Sequence, residues 1–229
     1  MIGGSPPRAI LLDALGTLVA LQPPAPRLCA EFEQRFGVHV SLRQAARALA
    51  AEITYYRAHL DQGSDATGLK ALRHSCVLAL RDELPRPAAA LPIEQLTEAL
   101  LASIAFSAFA DVVPALASAR RRGLRLVVVS NWDISLHDLL ARLGIAPLLD
   151  GIVTSAQLGS RKPDPAIFVR GLELAGVRPA EAIHVGDSLD EDVAGARAAA
   201  IEPVLIRRDG SSGPRGVRTI ASLSELVVT

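Results

Sequence analysis

Short apolar runs that alternate with helical patterns constrain this chain more than any other feature. Four of these runs are rich in leucine or β-branched residues and end at turn residues, as expected for parallel strands covered on both faces. They are RAILLD (8–13), LRLVVVS (124–130), EAIHVGD (181–187) and EPVLIRR (202–208), and LLDGIVTS (148–155) is a weaker fifth. Strands alternating with helices predict βαβ units. We therefore expect an α/β fold with a doubly wound, Rossmann-like parallel sheet.

The stretch from about residue 20 to residue 108 has a different pattern, because it contains no clear strand. It divides into four helical segments: APRLCAEFEQRFG, SLRQAARALAAEITYYRAHL, GLKALRHSCVLALRDEL and PIEQLTEALLASIAF. Ser41 and Gln44 are spaced as a capping box for the second of them. A helical insertion thus interrupts the α/β domain directly after its first strand. We expect a core domain of residues 1–19 and 109–229 and a helical domain of residues 20–108.

Charge and composition exclude several classes of function. The formal net charge is zero and only 3% of the residues are aromatic, so nothing favours binding to nucleic acid or a membrane surface. The two cysteines have no CxxC spacing, so neither a zinc site nor a disulfide framework is expected, and a reducing compartment fits. The start of the chain lacks a signal-peptide pattern. We expect a cytoplasmic protein, monomeric or homodimeric, with no nucleic-acid or membrane partner.

Polar residues stand at the carboxyl ends of three predicted strands. Asp13 ends the first, Ser130 and Asn131 follow the next, and Asp187 ends a later one. Taken alone, each would be a helix cap or a turn residue, and Lys162 in RKPDP would lie on a surface loop. Ligands of open α/β sheets bind beyond the carboxyl ends of the strands. Together these residues therefore predict one functional site at that edge of the sheet.

The order of the motifs adds a family resemblance. The chain carries, in sequence, DALGTL, VVVSN, GSRKPDPAIF and HVGDSLDEDVAGARAA. This series resembles the four motifs of the haloacid dehalogenase-like hydrolase superfamily and spans nearly the full chain. The helical insertion after the first motif is similar to the C1-type cap of subfamily I in that family. Such a cap is expected to close over the site, exclude water and choose the substrate.

The resemblance implies roles for the residues at the sheet edge. Asp13 resembles the nucleophile, since a carboxylate can form a covalent intermediate and split one difficult step into two. Lys162 supplies a compact positive charge that suits phosphate oxygens and Asp13 together. Ser130 would offer its hydroxyl and Asn131 its main-chain N–H to the transferring group. Thr17, in the turn after Asp13, would contact phosphate through its hydroxyl or main-chain N–H.

The same resemblance implies a Mg²⁺ site. Asp13, the backbone carbonyl of Leu15 and Asp187 are expected around the ion, and Asp192 in the second shell or on a metal-bound water. A hard cation with few carboxylates, waters and phosphate is the usual magnesium pattern. The neighbouring Asp190 and Glu191 are expected to interact favourably with the helix dipole instead. We accordingly expect a small, phosphorylated substrate.

Leu15 departs from the pattern of the family's phosphatases. In those enzymes the residue two after the nucleophile is a second aspartate, which protonates the leaving group and later deprotonates water. Leu15 does neither, although its backbone carbonyl can still bind a metal. Family members that cleave carbon–halogen bonds also lack this acid, but they work without metal and do not keep a pair like Gly186 and Asp187. Three hypotheses follow: a Mg²⁺-dependent phosphohydrolase, which the metal residues favour, a 2-haloacid dehalogenase-type hydrolase, and a catalytically weak member that binds a phosphorylated ligand.

Some polar residues of the sequence have two interpretations. Tyr56, Arg57 and His59 of the helical domain either face a substrate cleft or belong to a helix with aromatic core contacts and a solvated edge. His184 lies inside a strand, and we expect it to be packed rather than catalytic.

Overall fold

The computed structural model of the chain describes residues 6–226. Within them, the chain forms two compact units. One unit combines the residues up to Ala20 with those from Ala108 onward, and the other is Leu21–Ser107. Residues 1–5 and 227–229, which belong to the expected core domain, lie outside the described residues.

The first unit is built on a parallel sheet. The strands of the described chain are β1 (Ala9–Leu12), β2 (Val19–Leu21), β3 (Phe106–Ala108), β4 (Arg125–Ser130), β5 (Gly151–Thr154), β6 (Ala182–Gly186), β7 (Glu202–Ile206) and β8 (Arg218–Ile220). Six of them form one sheet in the order β5-β4-β1-β6-β7-β8, with every neighbouring pair parallel. The remaining two, β2 and β3, pair with each other where the chain passes between the units.

Helices connect these strands and make up most of the second unit. They are α1 (Pro24–Phe36), α2 (Leu42–His59), α3 (Ala66–Glu83), α4 (Ile93–Ser103), α5 (Val112–Arg121), α6 (Ser135–Arg142), α7 (Ser155–Leu158), α8 (Pro165–Ala175) and α9 (Ala194–Ala198). Local sequence explains the ends of α8: Asp164 accepts a hydrogen bond from the N–H of Ala166 at 2.8 Å, and Pro165 begins the helix. Gly176 ends it in the left-handed conformation.

The predicted fold class is confirmed, since the chain forms an α/β, doubly wound parallel sheet. All five predicted strands are present, slightly shorter than the apolar runs that indicated them. The three-residue strands β2, β3 and β8 were not predicted, and β3 lies in the stretch expected to hold no strand, because three residues are too few to carry a period-two pattern. Strand β1 lies between β4 and β6, with Leu11 opposite both Val127 and His184. The carboxyl ends of β4, β1 and β6 therefore lie side by side at one edge of the sheet.

The second unit has its own apolar core. Fully buried side chains from all four of its helices include Leu28, Phe32, Ala48, Leu72 and Leu96. The predicted capping box is confirmed: Ser41 accepts from the N–H of Gln44 at 3.4 Å, and Gln44 accepts from the N–H of Ser41 at 3.0 Å. Among the described helices, none combines the length and apolar character that a bilayer crossing requires.

One carboxyl group is buried inside this second core. Glu52 of α2 is only 5% exposed, and the thiol of Cys76 on α3 is its hydrogen-bond partner. Burial raises the pKa of Glu52 from 4.5 to about 7, and the hydrogen bond from Cys76 offsets this only in part. The folded protein therefore holds more protons than the unfolded chain between these two values. Stability should fall as the pH rises through this window.

Replacing Glu52 with glutamine should remove this dependence, because the amide keeps the shape of the side chain but carries no charge. Relative to wild type, the free energy of unfolding of Glu52→Gln should rise by on the order of 3 kcal/mol from pH 4 to pH 8. Denaturant unfolding of the full chain across this range measures it. Glu94→Gln, which changes an exposed acid of α4, is the control and should track wild type. If the unfolding free energies of Glu52→Gln and wild type change in parallel with pH, the raised pKa of Glu52 would be contradicted.

Candidate active site

A tight turn follows β1 and carries the first site residues. The carbonyl of Ala14 accepts hydrogen bonds from the N–H groups of Leu18 at 2.8 Å and Val19 at 2.9 Å. Gly16 has φ +76°, a left-handed conformation that favours glycine. This turn holds Asp13 at the end of the strand with only 5% of its surface exposed.

Leu15 and Thr17 occupy the same turn in different ways. The side chain of Leu15 is 39% exposed, while its main chain pairs with Val19. Thr17 is fully buried, and its Oγ1 has no hydrogen-bond partner among the described residues. The N–H of Thr17 already donates to Ala14 at 3.3 Å. Of the two Thr17 groups expected to contact phosphate, the hydroxyl is thus the one that needs a partner.

Lys162 lies between two carboxylates. Its Nζ is 2.6 Å from Asp13 Oδ1 and 2.6 Å from Asp192 Oδ1, and its side chain is 1% exposed. The hydroxyl of Ser130, the last residue of β4, donates a further hydrogen bond to Asp13 Oδ1 at 3.0 Å. A buried ammonium is stable only with such partners. Asp13 Oδ1 is therefore engaged by two donors.

Asn131 holds the loop that carries Lys162. Its side-chain amide donates to the Lys162 carbonyl at 3.1 Å and accepts from the Lys162 N–H at 2.7 Å. These reciprocal bonds fix the main chain of Lys162 beside the end of β4. The Asn131 side chain is thus used within the protein, and a substrate contact through its main-chain N–H stays a prediction.

Asp192 is placed by an irregular helical turn that the sequence pattern did not indicate. The expected helix begins with a π-helical turn, Leu189–Val193, before α9. Asp192 is 1% exposed and accepts from the N–H of Ser188 at 3.0 Å on Oδ2, while Nε2 of His184 lies 2.8 Å from Oδ1. A Cβ on Gly186 would overlap this carboxylate. The glycine of the Gly-Asp pair therefore makes room for the close approach of Asp192.

Asp187 follows β6 and approaches the turn after β1. A Cβ on Gly16 would overlap its carboxylate, so the two loops touch at this point. Arg207, directly after β7, donates to the main-chain carbonyl of Asp187 at 3.1 Å. Three neighbouring strand ends thus bring together Asp13, Ser130 and Asp187, as the sequence predicts.

Burial and mutual charge shift the titration of this cluster. Burial raises the pKa of Asp13 from 3.8 to about 6, an effect that Asp192 reinforces and Lys162 opposes. Burial also raises the pKa of Asp187, again with Asp192 adding to it. For Asp192, burial is outweighed by the charge of Lys162 and the hydrogen bond from His184, so its pKa is lowered. Burial would lower the pKa of Lys162, but Asp13 and Asp192 raise it, so the ammonium stays charged.

The donor set fits a hard divalent cation. Oxygen atoms of Asp13, Asp187 and Asp192 all lie within 4.8 Å of one another. Burial is the main cause of the raised pKa values of Asp13 and Asp187, and the charge of Asp192 adds to both; a cation would relieve this repulsion between like charges. Carboxylate oxygens in small number are what Mg²⁺ prefers. Asp192 already accepts three hydrogen bonds, which agrees with the second-shell place expected for it.

Arg208 is a positioning residue that the sequence analysis missed. Its guanidinium forms two hydrogen bonds, of 2.8 and 2.7 Å, with the carboxylate of Asp111 before α5. It also donates to the Thr17 carbonyl and lies 4.2 Å from the centre of the Phe109 ring. Arg208 thus anchors the turn that carries Thr17. The pair of arginines after strand β7 was the available signal, but the distant partner Asp111 of Arg208 was not visible in the sequence.

The polar and aromatic residues of α2 form contacts within the second unit. The ring of His59 stacks on Tyr55 with centroids 4.1 Å apart, and its Nδ1 is 2.8 Å from the Tyr55 carbonyl. Tyr55 and Tyr56 are partly buried against the core of that unit. These contacts favour the packing interpretation for Tyr56 and His59, and a substrate contact from Arg57 stays a prediction.

Comparison with known proteins gives the family context. A family model described as haloacid dehalogenase-like hydrolase matches residues 7–200. The chain is 32% identical over 207 residues to haloacid dehalogenase-like hydrolase domain-containing protein 3 of Mus musculus, a match that covers 87% of this chain and 81% of that protein.

Other similar proteins carry names of two activities. Over 101 residues the chain is 40% identical to the glyceraldehyde 3-phosphate phosphatase of Methanopyrus kandleri, covering 44% of this chain and 43% of that protein. A solved structure of 2-haloacid dehalogenase from Pseudomonas syringae pv. Tomato DC3000 has a TM-score of 0.66 at 23% identity and covers 96% of both chains. The second likeness concerns the fold alone.

The contact between Gly16 and Asp187 can be tested with a matched pair of glycines. Gly16 (φ +76°) and Gly123 (φ +79°) have nearly the same backbone strain on substitution, but only at Gly16 would a Cβ meet Asp187. Gly123→Ala should cost about 1 kcal/mol of unfolding free energy. Gly16→Ala should cost more and displace the Asp187 carboxylate in a crystal structure. Equal costs with an unmoved Asp187 would contradict this packing.

Proposed function

The chain belongs to the haloacid dehalogenase-like hydrolases, and we propose that it is a Mg²⁺-dependent phosphohydrolase that acts on a small phosphorylated molecule. The observation that carries the proposal is the cluster of Asp13, Asp187 and Asp192, whose oxygen atoms lie within 4.8 Å of one another. Three buried or half-buried carboxylates with one lysine repel one another unless a cation joins them. Phosphoryl transfer uses such a cation, whereas displacement of a halide does not need one.

In this proposal Asp13 is the nucleophile. Because Oδ1 is taken by Lys162 and Ser130, we assign the attack to Oδ2. The bond from Oδ2 to phosphorus forms as the bond from phosphorus to the leaving oxygen breaks, and that oxygen takes its proton from solvent. Water then attacks phosphorus and frees the Asp13 carboxylate, while its proton passes to solvent.

The remaining residues orient and neutralise the transferring group. Lys162 remains charged and offsets the negative charge that accumulates on phosphate oxygens. The Thr17 hydroxyl, which is buried and has no hydrogen-bond partner within residues 6–226, is the donor we assign to a phosphate oxygen. When bound, Mg²⁺ would be held by Asp13, Asp187 and the Leu15 carbonyl, with Asp192 behind them, and would polarise the phosphoryl group.

Leu15 supports a second candidate, a 2-haloacid dehalogenase-type hydrolase. Its side chain supplies no proton, and a departing halide needs none. Asp13 would then form an ester with the carbon that carried the halogen, and water would hydrolyse that ester. A third reading of the same residue is a weak enzyme that binds a phosphorylated ligand with little turnover, because general acid–base help is worth roughly a hundred- to ten-thousand-fold.

The setting we propose is the cytoplasm. Neither Cys29 nor Cys76 forms a disulfide within residues 6–226, which agrees with a reducing compartment. A monomeric or homodimeric state stays a prediction, which analytical ultracentrifugation would test.

The first test compares phosphoester and haloacid substrates with and without Mg²⁺. Purified protein should hydrolyse p-nitrophenyl phosphate only with Mg²⁺, and Asp13→Asn should abolish the reaction. Asp187→Asn should need at least tenfold more Mg²⁺, since it removes a ligand oxygen. Asp190→Asn changes an exposed acid three residues further on and serves as the control, with wild-type Mg²⁺ dependence. Metal-independent chloride release from 2-chloropropionate, without phosphatase activity, would contradict the proposal.

The second test restores the missing acid. Leu15→Asp should raise phosphatase turnover by roughly a hundredfold or more, because the carboxyl group can protonate the leaving oxygen and then accept the proton of water. Leu15→Asn has nearly the same shape but cannot transfer a proton, so its turnover should stay near that of wild type. Steady-state rates with p-nitrophenyl phosphate measure both. Equal rates for the two variants would count against an intact phosphoryl-transfer site.

A further inference from the structure

His184 is an imidazole in an otherwise apolar layer. It lies in the middle of β6, 1% exposed, directly opposite Leu11 of β1. Its ring packs against the ring of Phe168 from α8 in a T-shaped arrangement, with centroids 4.9 Å apart and planes at 88°. An apolar side chain would fill this position without a desolvation penalty. The presence of a polar ring here therefore calls for a reason beyond packing.

The hydrogen bonds of the His184 ring give the reason for a polar side chain at this position. Nε2 is 2.8 Å from Asp192 Oδ1, while Nδ1 is buried and has no hydrogen-bond partner among the described residues. An ionised carboxylate only accepts hydrogen bonds, so the tautomer that fits carries its proton on Nε2. His184 thus donates one hydrogen bond, and it points that bond at Asp192.

The oxygen that His184 reaches is also the one that Lys162 uses. Asp192 Oδ1 accepts from Lys162 Nζ at 2.6 Å, and the same Nζ lies 2.6 Å from Asp13 Oδ1. The N–H of Ser188 fixes the other oxygen of Asp192 at 3.0 Å. Because both oxygens of the Asp192 carboxylate accept hydrogen bonds, the group cannot rotate. Its Oδ1 therefore holds the ammonium of the flexible Lys162 side chain in one place.

We propose that His184 is a positioning residue, which holds the Asp192 carboxylate and thereby keeps Lys162 Nζ in contact with Asp13. The inference rests on the proposed function only in the activity measurements. The position of Lys162 can be measured directly in crystal structures, whatever the activity. A purely structural His184 would fill space between β6 and α8, and an apolar replacement would then serve equally well.

Two amide variants separate these roles. In His184→Gln the amide nitrogen lies at the same distance along the side chain as Nε2, so it can still donate to Asp192. In His184→Asn the amide reaches only as far as Nδ1 and misses Asp192. Both variants bury an amide in the same layer, so a general packing defect affects both. His184→Leu removes the polar group and reports the cost of packing alone.

Positioning predicts that His184→Gln keeps hydrolysis of p-nitrophenyl phosphate within a few-fold of wild type. His184→Asn and His184→Leu should lose about ten- to a hundredfold, the usual effect of removing a hydrogen bond that orients a site ligand. His184→Leu should nevertheless unfold at a temperature at least equal to that of His184→Gln. An activity in His184→Leu equal to or above that of His184→Gln would overturn the proposal.

Crystal structures of the Gln and Asn variants give a readout that does not depend on activity. Lys162 Nζ should remain within hydrogen-bond distance of Asp13 Oδ1 in His184→Gln and move out of it in His184→Asn. If wild type hydrolyses no phosphoester, the proposed function fails, but this comparison still decides the role of His184. On wild-type protein, long-range ¹H–¹⁵N NMR should find the His184 proton on Nε2. A proton on Nδ1 alone, or an unmoved Lys162 in the Asn variant, would overturn it.

Discussion

A buried ammonium between two buried carboxylates organises the site. Lys162 Nζ contacts Asp13 and Asp192 at 2.6 Å each, with about 1% of its side chain exposed. Neither the cation nor either anion would be stable in this place alone. Other contacts hold these three residues in place: Asn131 fixes the main chain of Lys162, and the Ser130 hydroxyl donates to Asp13. The reactive edge of the sheet thus depends on one charge that joins three loops.

Leu15 is the residue in the turn after β1 that departs from the pattern of the family's phosphatases. In the proposed function Lys162 and the neighbouring acids serve phosphoryl transfer, while a partly exposed leucine stands where the family's phosphatases have the residue that moves protons. The pKa of Asp13, raised by burial to about 6, still leaves it ionised at neutral pH and able to attack. Loss of the proton donor and acceptor affects leaving-group departure and hydrolysis of the intermediate instead. On this account hydrolysis of the covalent intermediate limits the rate, and phosphorylated Asp13 accumulates.

The sequence predicted the fold and the meeting of Asp13, Ser130 and Asp187 at one edge of the sheet, because both depend on local patterns. Buried strands appear as apolar runs, and parallel strands deliver the residues that follow them to one edge. Side-chain contacts between separate elements were not predictable in the same way. The bonds from Arg208 to Asp111 and from His184 to Asp192 depend on the register of strands and helices. The π-helical turn Leu189–Val193 has the same residue pattern as an ordinary helix, so only its three-dimensional geometry reveals it.

The most direct measurement is the covalent state of Asp13 during reaction. Protein mixed with p-nitrophenyl phosphate, quenched in acid and digested, can be analysed by mass spectrometry of the peptide that carries Asp13. The account predicts one phosphoryl group on Asp13 when Mg²⁺ is present and none when it is removed. An unmodified Asp13 during phosphoester turnover, or an Asp13 ester formed from 2-chloropropionate without metal, would contradict it.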